Sequence, residues 1–417
     1  MVKYMQSSKQ RRDFIDVTKF ALSILIVVIH ISPIESLNPV LRPFLRTAVP
    51  LFFLISAYLF FKKYGEAETI EKKIARIERY VKRNLQLYFF WLIVLLIPTL
   101  SYRQWFSDGL LSGLFGALHS FLFGSTFIAS WYIMASIIAT LIIVVASRYL
   151  GNKTILLLSA IPYLACCAIS NYGASPLVAP HYDTLCYAFG SNDYNSFWVA
   201  IFWIAAGKCI ADNELRLSKV NTPSLLAIML VGLGAIYTEQ FFILANQWSY
   251  ADDCYLGLAV FCIPAFVLSL RVNVSCKYAA FLRNASIVTY CLHDNLNYAI
   301  MRFTPFSPTP LETFFIVLVA SWLLTALIMK NGKERTPQLA KVFPLTYLAE
   351  YFAVGLAPPA AKHKFSCSRK RIDHAYRSTH EKPAQCHFVL QARALLQTKC
   401  QTALIYAPRI HLPSAST

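Results

Sequence analysis

The sequence predicts an all-α, polytopic membrane protein of about ten transmembrane helices, with both termini cytoplasmic. Three observations carry that expectation. The 417 residues are 57% hydrophobic and only 14% charged, where soluble domains carry about 25% charged residues; mean hydropathy is +0.49. Apolar runs approaching the ~20 residues that cross a bilayer recur along the chain. Basic residues collect in every second connection, the pattern of cytoplasmic loops.

The runs fall at 14–32, 44–61, 85–101, 131–149, 154–171, 197–211, 224–243, 255–270, 285–301 and 313–330. The first lacks a small-residue cleavage site and contains Asp16 and Lys19, so it reads as an uncleaved span rather than a signal peptide. Pro162 and Pro264 fall inside the fifth and eighth runs, where a missing N–H and a bulky ring kink a helix. Residues 109–124 are apolar but rich in Gly and Ser; they read as a re-entrant or interfacial helix. Lys9, Arg11 and Arg12 precede the first span, and Lys62, Lys63, Lys72, Lys73, Arg76, Arg79, Lys82 and Arg83 fill the connection after the second. Basic residues also follow spans four, six, eight and ten, whereas Glu35, Asp108, Asp183, Asp193, Asp252 and Asp253 mark the alternate loops. The chain therefore divides into a membrane core, 1–335, and a basic tail, 336–417, without sustained helical or strand period. Cys367, His374, His380 and Cys386 in the tail fit no zinc-finger spacing. A solvated tail near anionic lipid explains its charge better.

The net charge of +18 serves topology first. The basic residues form no single soluble module, which argues against a nucleic-acid partner. Cys166, Cys167, Cys209, Cys262 and Cys291 lie in apolar runs, where thiols pack as small apolar groups. Cys186 and Cys254 fall in loops expected outside, and a bond between them is compatible with the sequence without being established by it. The largest external loop, 172–196, carries Tyr172, Tyr182, Tyr187 and Tyr194 with His181, Asp183, Asn192 and Asp193. Rings beside carboxylates suit a sugar surface, and they equally suit an aromatic interface belt.

Chemistry concentrates in the first span. Lys19 and His30 are eleven residues apart, which returns a helix to within about 20° of the same face and advances it about 16 Å. Asp16 shares that stripe one turn earlier. Ionisable groups inside a span are functional candidates by default; the competing reading is an Asp16–Lys19 anchor with His30 reaching the far interface. His293 sits mid-span beside Asp294, Asn295 and Asn297, with an interhelical hydrogen bond as its structural alternative.

Taken together, these residues resemble acyltransferase family 3, bacterial integral-membrane enzymes that O-acetylate surface sugars. Asp16-Val17-Thr18-Lys19 followed by His30 is similar to the family's opening signature, with Lys19 standing where most members have Arg. The stretch Val49 to Tyr58 resembles the second-span motif, with Ser56-Ala57 in place of the usual Ser-Gly. Arg79-Tyr80-Val81-Lys82-Arg83 stands where members carry Arg-rich sequence before span three, although the Pro that often follows is missing. Trp131-Tyr132 and Tyr290-Cys291-Leu292-His293 match the later aromatic pair and the aromatic-x-x-His. The resemblance covers about 14–330 and implies acetyl transfer from cytoplasmic acetyl-CoA, as donor substrate, to a hydroxyl of a surface or lipid-linked carbohydrate, in the bacterial inner membrane and amid its lipid. No metal is expected.

Acyl transfer needs a base for the attacking hydroxyl, donors for the oxyanion and registered substrates. His30, His293 and Asp16 are the candidate catalytic residues. Lys19, Arg79, Lys82 and Arg83 are candidates for the donor's phosphates, and Ser56, Trp131, Tyr132 and Tyr290 support the motifs. The alternative class is a transporter or flippase for a glycan or lipid-linked sugar. It would favour broken helices in matched halves, and no convincing internal repeat is found.

Overall fold

The first apolar run forms the inner two-thirds of α1 (Val2–Ile31), and it sets the pattern for the rest. The structure, a computed structural model, describes residues 2–189 and 195–334, and every regular element among them is helical. A short α2 (Asn38–Leu45) leads into α3 (Ala48–Gly65), which ends with Lys62 and Lys63 against its negative C-terminal dipole. Thr69 caps α4 (Ile70–Val94) by accepting the Lys72 N–H, and α5 (Leu96–Arg103) and α6 (Leu110–Phe123) follow. Next come α7 (Trp131–Ala146), α8 (Asn152–Asn171) and α9 (Tyr182–Ala188). Ser196 caps α10 (Phe197–Asp212), and the single turn α11 (Glu214–Leu217) joins it to α12 (Thr222–Asn246), capped by Asn221. The last three are α13 (Gly257–Ser269), α14 (Ala279–Phe303) and α15 (Pro310–Glu334). The tail after 335 lies outside the described residues.

Each predicted apolar run thus contains a helix, but the runs are not equal. Among the described residues, five segments are long and apolar enough to cross a membrane: Asp13–Ile31, Glu35–Gly65, Asn152–Asn171, Thr222–Asn246 and Pro310–Lys330. The bent pair α4–α5 makes up to six. The remaining expected spans fall short of that measure. α7, α10 and α13 have 16, 16 and 13 residues, or about 20–24 Å at 1.5 Å per residue against a ~30 Å hydrocarbon core. α14 is long enough, at 25 residues, but carries charged and amide side chains along its length.

The expected single span at 85–101 is broken. α4 and α5 meet at 78° across Leu95. Pro98 explains the break, because it has no N–H for the Val94 carbonyl and its ring collides with that group. The Gly- and Ser-rich stretch after it becomes α6, whose 14 residues reach only about 21 Å. Pro162 and Pro264 lie inside α8 and α13 as expected.

α10 is the central post, packed on α3, α7 and α8, with Trp203, Ile204 and Ala205 essentially inaccessible. Lys208, inside the sixth apolar run, is buried and bonds to Asp212 at 2.7 Å and Asn152 at 2.6 Å. Close approach of α10 to α3 depends on Gly207. A Cβ there would sit 2.5 Å from the Ala57 Cβ and 2.9 Å from the Leu54 carbonyl oxygen. The glycine absent from Ser56-Ala57 is in effect supplied from the facing helix. Gly232 does the same for the α12–α13 hairpin, where a Cβ would meet the Phe261 nitrogen at 2.4 Å. Gly207→Val is therefore expected to cost about 1–3 kcal/mol through overpacking, read as a lower melting midpoint in detergent.

α1 packs most extensively on α14. Asp16 pairs with Arg283 near one end and His30 with Asp294 near the other, so the two helices run in the same direction. Two parallel helices that both cross are separated by an odd number of crossings.

Candidate active site

Near the C-terminal end of α1, His30 Nδ1 lies 3.4 Å from Asp294 Oδ2 on α14. The His293 ring stands 5.0 Å from that of His30, centroid to centroid. The two histidines differ in access: the His30 side chain keeps 38% of its surface exposed, while His293 is 0% exposed. His293 Nδ1 is 2.7 Å from the Tyr290 carbonyl. A carbonyl only accepts, so Nδ1 carries the proton and Nε2 presents a lone pair. That Nε2 is buried with no hydrogen-bond partner among the described residues. His30 is thus the histidine that can touch a substrate, and His293 is a buried neighbour held in one tautomer.

Asp16, grouped with the histidines from sequence, is not near them. It lies fourteen residues before His30, roughly 21 Å along the helix, and its carboxylate faces Arg283 at 3.3 Å. The carboxylate that partners His30 is Asp294. Lys19 sits in the same lower region as Asp16, and the charges acting on it are Asp16, Arg83, Arg283 and Lys63. Of the sequence-predicted donor contacts, Arg83 is near enough for its charge to act on Lys19, with its own side chain exposed on α4. Arg79 is exposed and donates to its own helix at Ala75, 2.9 Å away, and Lys82 is exposed on α4. Lys63 belongs to the basic connection after span two, and Arg283 to the basic stretch after span eight. A signal for Arg283 was available: Arg283 and Asp294 are eleven residues apart, the same spacing that puts Lys19 and His30 on one stripe.

The motif aromatics join α3, α7 and α14. The Ser56 hydroxyl and the Tyr132 phenol are 2.8 Å apart, and the phenol also donates to the Phe52 carbonyl at 3.1 Å. The Tyr132 ring lies 5.6 Å from Tyr290, which lies 6.0 Å from His293. Trp131 packs on Phe53 at 5.8 Å. The Tyr290 hydroxyl donates to the carbonyl of Ala129, a non-glycine residue at φ +64°. That backbone is held from several sides. Asn295 Nδ2 donates to Ile128 at 2.9 Å, and Arg103 donates to the carbonyls of Thr126 and Ser125. Sequence reasoning missed Arg103 as a clamp because its carbonyl partners leave no trace in residue type.

In the 172–196 loop, Tyr172 donates to Glu239 at 2.9 Å, Tyr182 packs on Tyr250 at 4.7 Å, and Tyr187 is 86% exposed. Asn192, Asp193 and Tyr194 lie outside the described residues. The donor atoms of His30, His293 and Asp294 lie within 4.8 Å of one another, so the same three side chains could ligate a small divalent cation or relay a proton.

Comparison with known proteins decides the family. A family model described as Acyltransferase domain matches residues 12–330, three-quarters of the chain and the segment that carries both clusters. The chain belongs to acyltransferase family 3. It is a membrane protein of that family. Two relatives, both named amino-acid racemase and both from Enterococcus faecalis, are similar to it. One is 25% identical over 350 residues, covering 78% of this chain and 47% of the relative. The other is 26% identical over 270 residues, covering 62% and 36%. This family 3 chain spans about half the length of the first and about a third of the second, and their name is uninformative about its activity. No solved structure matches.

Proposed function

We propose that this family 3 protein is an O-acyltransferase that moves an acetyl group from acetyl-CoA to a hydroxyl of a surface or lipid-linked carbohydrate. We further propose that it crosses the bacterial inner membrane ten times with both termini cytoplasmic. The observation that carries the reading is one helix pair, α1 and α14, that holds the Asp16–Arg283 ion pair one turn from Lys19 and a histidine–carboxylate pair at His30, with Lys19 and His30 about 16 Å apart along α1. A donor with phosphates at one end and a thioester at the end of a long thin arm suits that separation.

In this reading Lys19, with Arg83, Arg283 and Lys63 around it, receives the phosphates of the donor. His30 uses Asp294 to orient its ring through Nδ1 and takes the acceptor's proton at Nε2. The hydroxyl oxygen bonds to the acetyl carbon, the carbon–sulfur bond breaks, and the proton leaves with the CoA thiol. His293 is a positioning residue: its ring backs His30 and its own tautomer is set by Tyr290. The basic connections support an orientation with Lys19 toward the cytoplasmic donor.

The test is the purified full chain in lipid nanodiscs with acetyl-labelled acetyl-CoA and a glycan extract. Label moving to the glycan, or slow label release as acetate without acceptor, supports transfer. Vesicle uptake of glycan with no label movement supports the transporter alternative, for which the broken α4–α5 pair is the nearest structural feature. Asp294→Asn keeps the spacing but removes the charge facing the imidazolium. It is expected to lower kcat about 10- to 100-fold, the worth of one charge-assisted hydrogen bond. Dialysis against a chelator is expected to leave the rate unchanged. Loss restored by added zinc would assign the three side chains to a metal instead.

A further inference from the structure

We propose that Cys167 and Cys254 form a disulfide that fastens the end of α8 to the loop before α13. The proposal rests on the orientation in the preceding reading, which puts both on the outer side, where disulfides form and persist.

The loop is already laced to α8. The Ser170 carbonyl accepts from the N–H groups of Tyr250 and Ala251 at 3.1 and 3.3 Å. The Ser170 hydroxyl accepts the Asp253 N–H at 3.0 Å, and the Asn171 side chain accepts the Cys254 N–H at 3.1 Å. Two turns below, the Tyr163 hydroxyl donates to the Tyr255 carbonyl at 2.6 Å. Cys167 lies one helical turn before Asn171 and on the same face. The hydrogen bonds on either side of it, Cys254 N–H to Asn171 and Tyr163 to the Tyr255 carbonyl, bring Cys167 beside Cys254. Both are buried, at 1% and 6% exposure, and both are present as thiols. Cys186, the other external cysteine, has Tyr182 as its side-chain partner. The backbone hydrogen bonds therefore select Cys167, not Cys186, as the neighbour of Cys254.

The chemistry is thiol–disulfide exchange with a disulfide-bearing protein oxidant while the loop docks. One cysteine, as thiolate, attacks the oxidant's disulfide and gives a mixed disulfide. The second thiolate then displaces the oxidant. The Cys167–Cys254 sulfur–sulfur bond forms, the oxidant leaves as a dithiol, and it carries the two electrons and two protons.

Intact cells are treated with membrane-permeant N-ethylmaleimide, and the full-length protein is denatured and digested without reductant. The expected product is a Cys167 peptide joined to a Cys254 peptide, two hydrogens lighter than their sum. It should disappear on reduction and be absent from Cys254→Ser. In parallel, Leu177→Cys, at a position 83% exposed in the 172–196 loop, reports orientation through a membrane-impermeant maleimide. Labelling from outside together with complete alkylation of Cys167 and Cys254 would overturn the disulfide alone. Labelling only after permeabilisation, with both thiols alkylated, would overturn the disulfide and the orientation together. The acetyl-transfer assay on the same membranes does not depend on either cysteine, so its outcome stands apart.

Discussion

His30→Ala is expected to insert and fold normally and to lose acyl transfer by about 10²- to 10⁴-fold in kcat, the range a positioned base contributes. The expectation rests on access as much as on residue type. His30 is the histidine of the pair with surface to offer a substrate, and its Nδ1 is turned to Asp294, which leaves Nε2 for the reacting hydroxyl. His293, fully buried and bonded to the Tyr290 carbonyl, should behave differently. Its replacement would loosen the His30 ring rather than remove the base. The comparison requires equal protein levels in membranes and an unchanged melting midpoint for His30→Ala. With those controls satisfied, substantial activity in that variant would remove His30 from the chemistry.

The second large effect is expected at Lys19. Lys19→Ala should raise the KM for acetyl-CoA about 10- to 100-fold, corresponding to the loss of a hydrogen bond between charged groups. Lys19→Arg should retain most affinity, since it keeps the charge and the reach of the side chain. The like charges of Arg83, Arg283 and Lys63 act on Lys19 against the single carboxylate of Asp16, and an anionic ligand relieves that repulsion. Unchanged donor affinity in Lys19→Ala, measured by titration of the purified protein, would reduce Lys19 to an anchor for Asp16.

Much of the site was legible because helical periodicity is strict. The eleven-residue spacing puts Lys19 and His30 on one stripe of α1, and His30 and Asp16 on that stripe both meet α14. The motif pairs Ser56 with Tyr132 and Tyr290 with His293 also meet as side chains in space. What failed was pairing between helices, which no single-helix period encodes. Asp16 shares the stripe with His30 but belongs to Arg283, because contact depends on depth in the bundle as well as on face. Asp294 was visible as part of a polar run, yet its partner could be known only once α1 and α14 were seen to lie parallel. The helix count suffered from a related limit. Hydropathy finds apolar runs, but it does not say that α13 stops at 13 residues or that Pro98 splits a span at Leu95. The Gly207–Ala57 contact shows the same point in packing: the small residue that lets α3 and α10 approach sits on the helix opposite the motif.

The most direct test of the account is the mass of surface glycans from cells that carry the wild-type gene, His30→Ala, Lys19→Ala or no gene. The account predicts glycans heavier by whole acetyl groups only with wild-type protein, and an alkali-labile increment that identifies an ester on oxygen. Lys19→Ala should give a partial increment that rises when acetyl-CoA supply is raised, and His30→Ala none. Glycans of equal mass in all four strains, with the wild-type protein present and inserted, would contradict it.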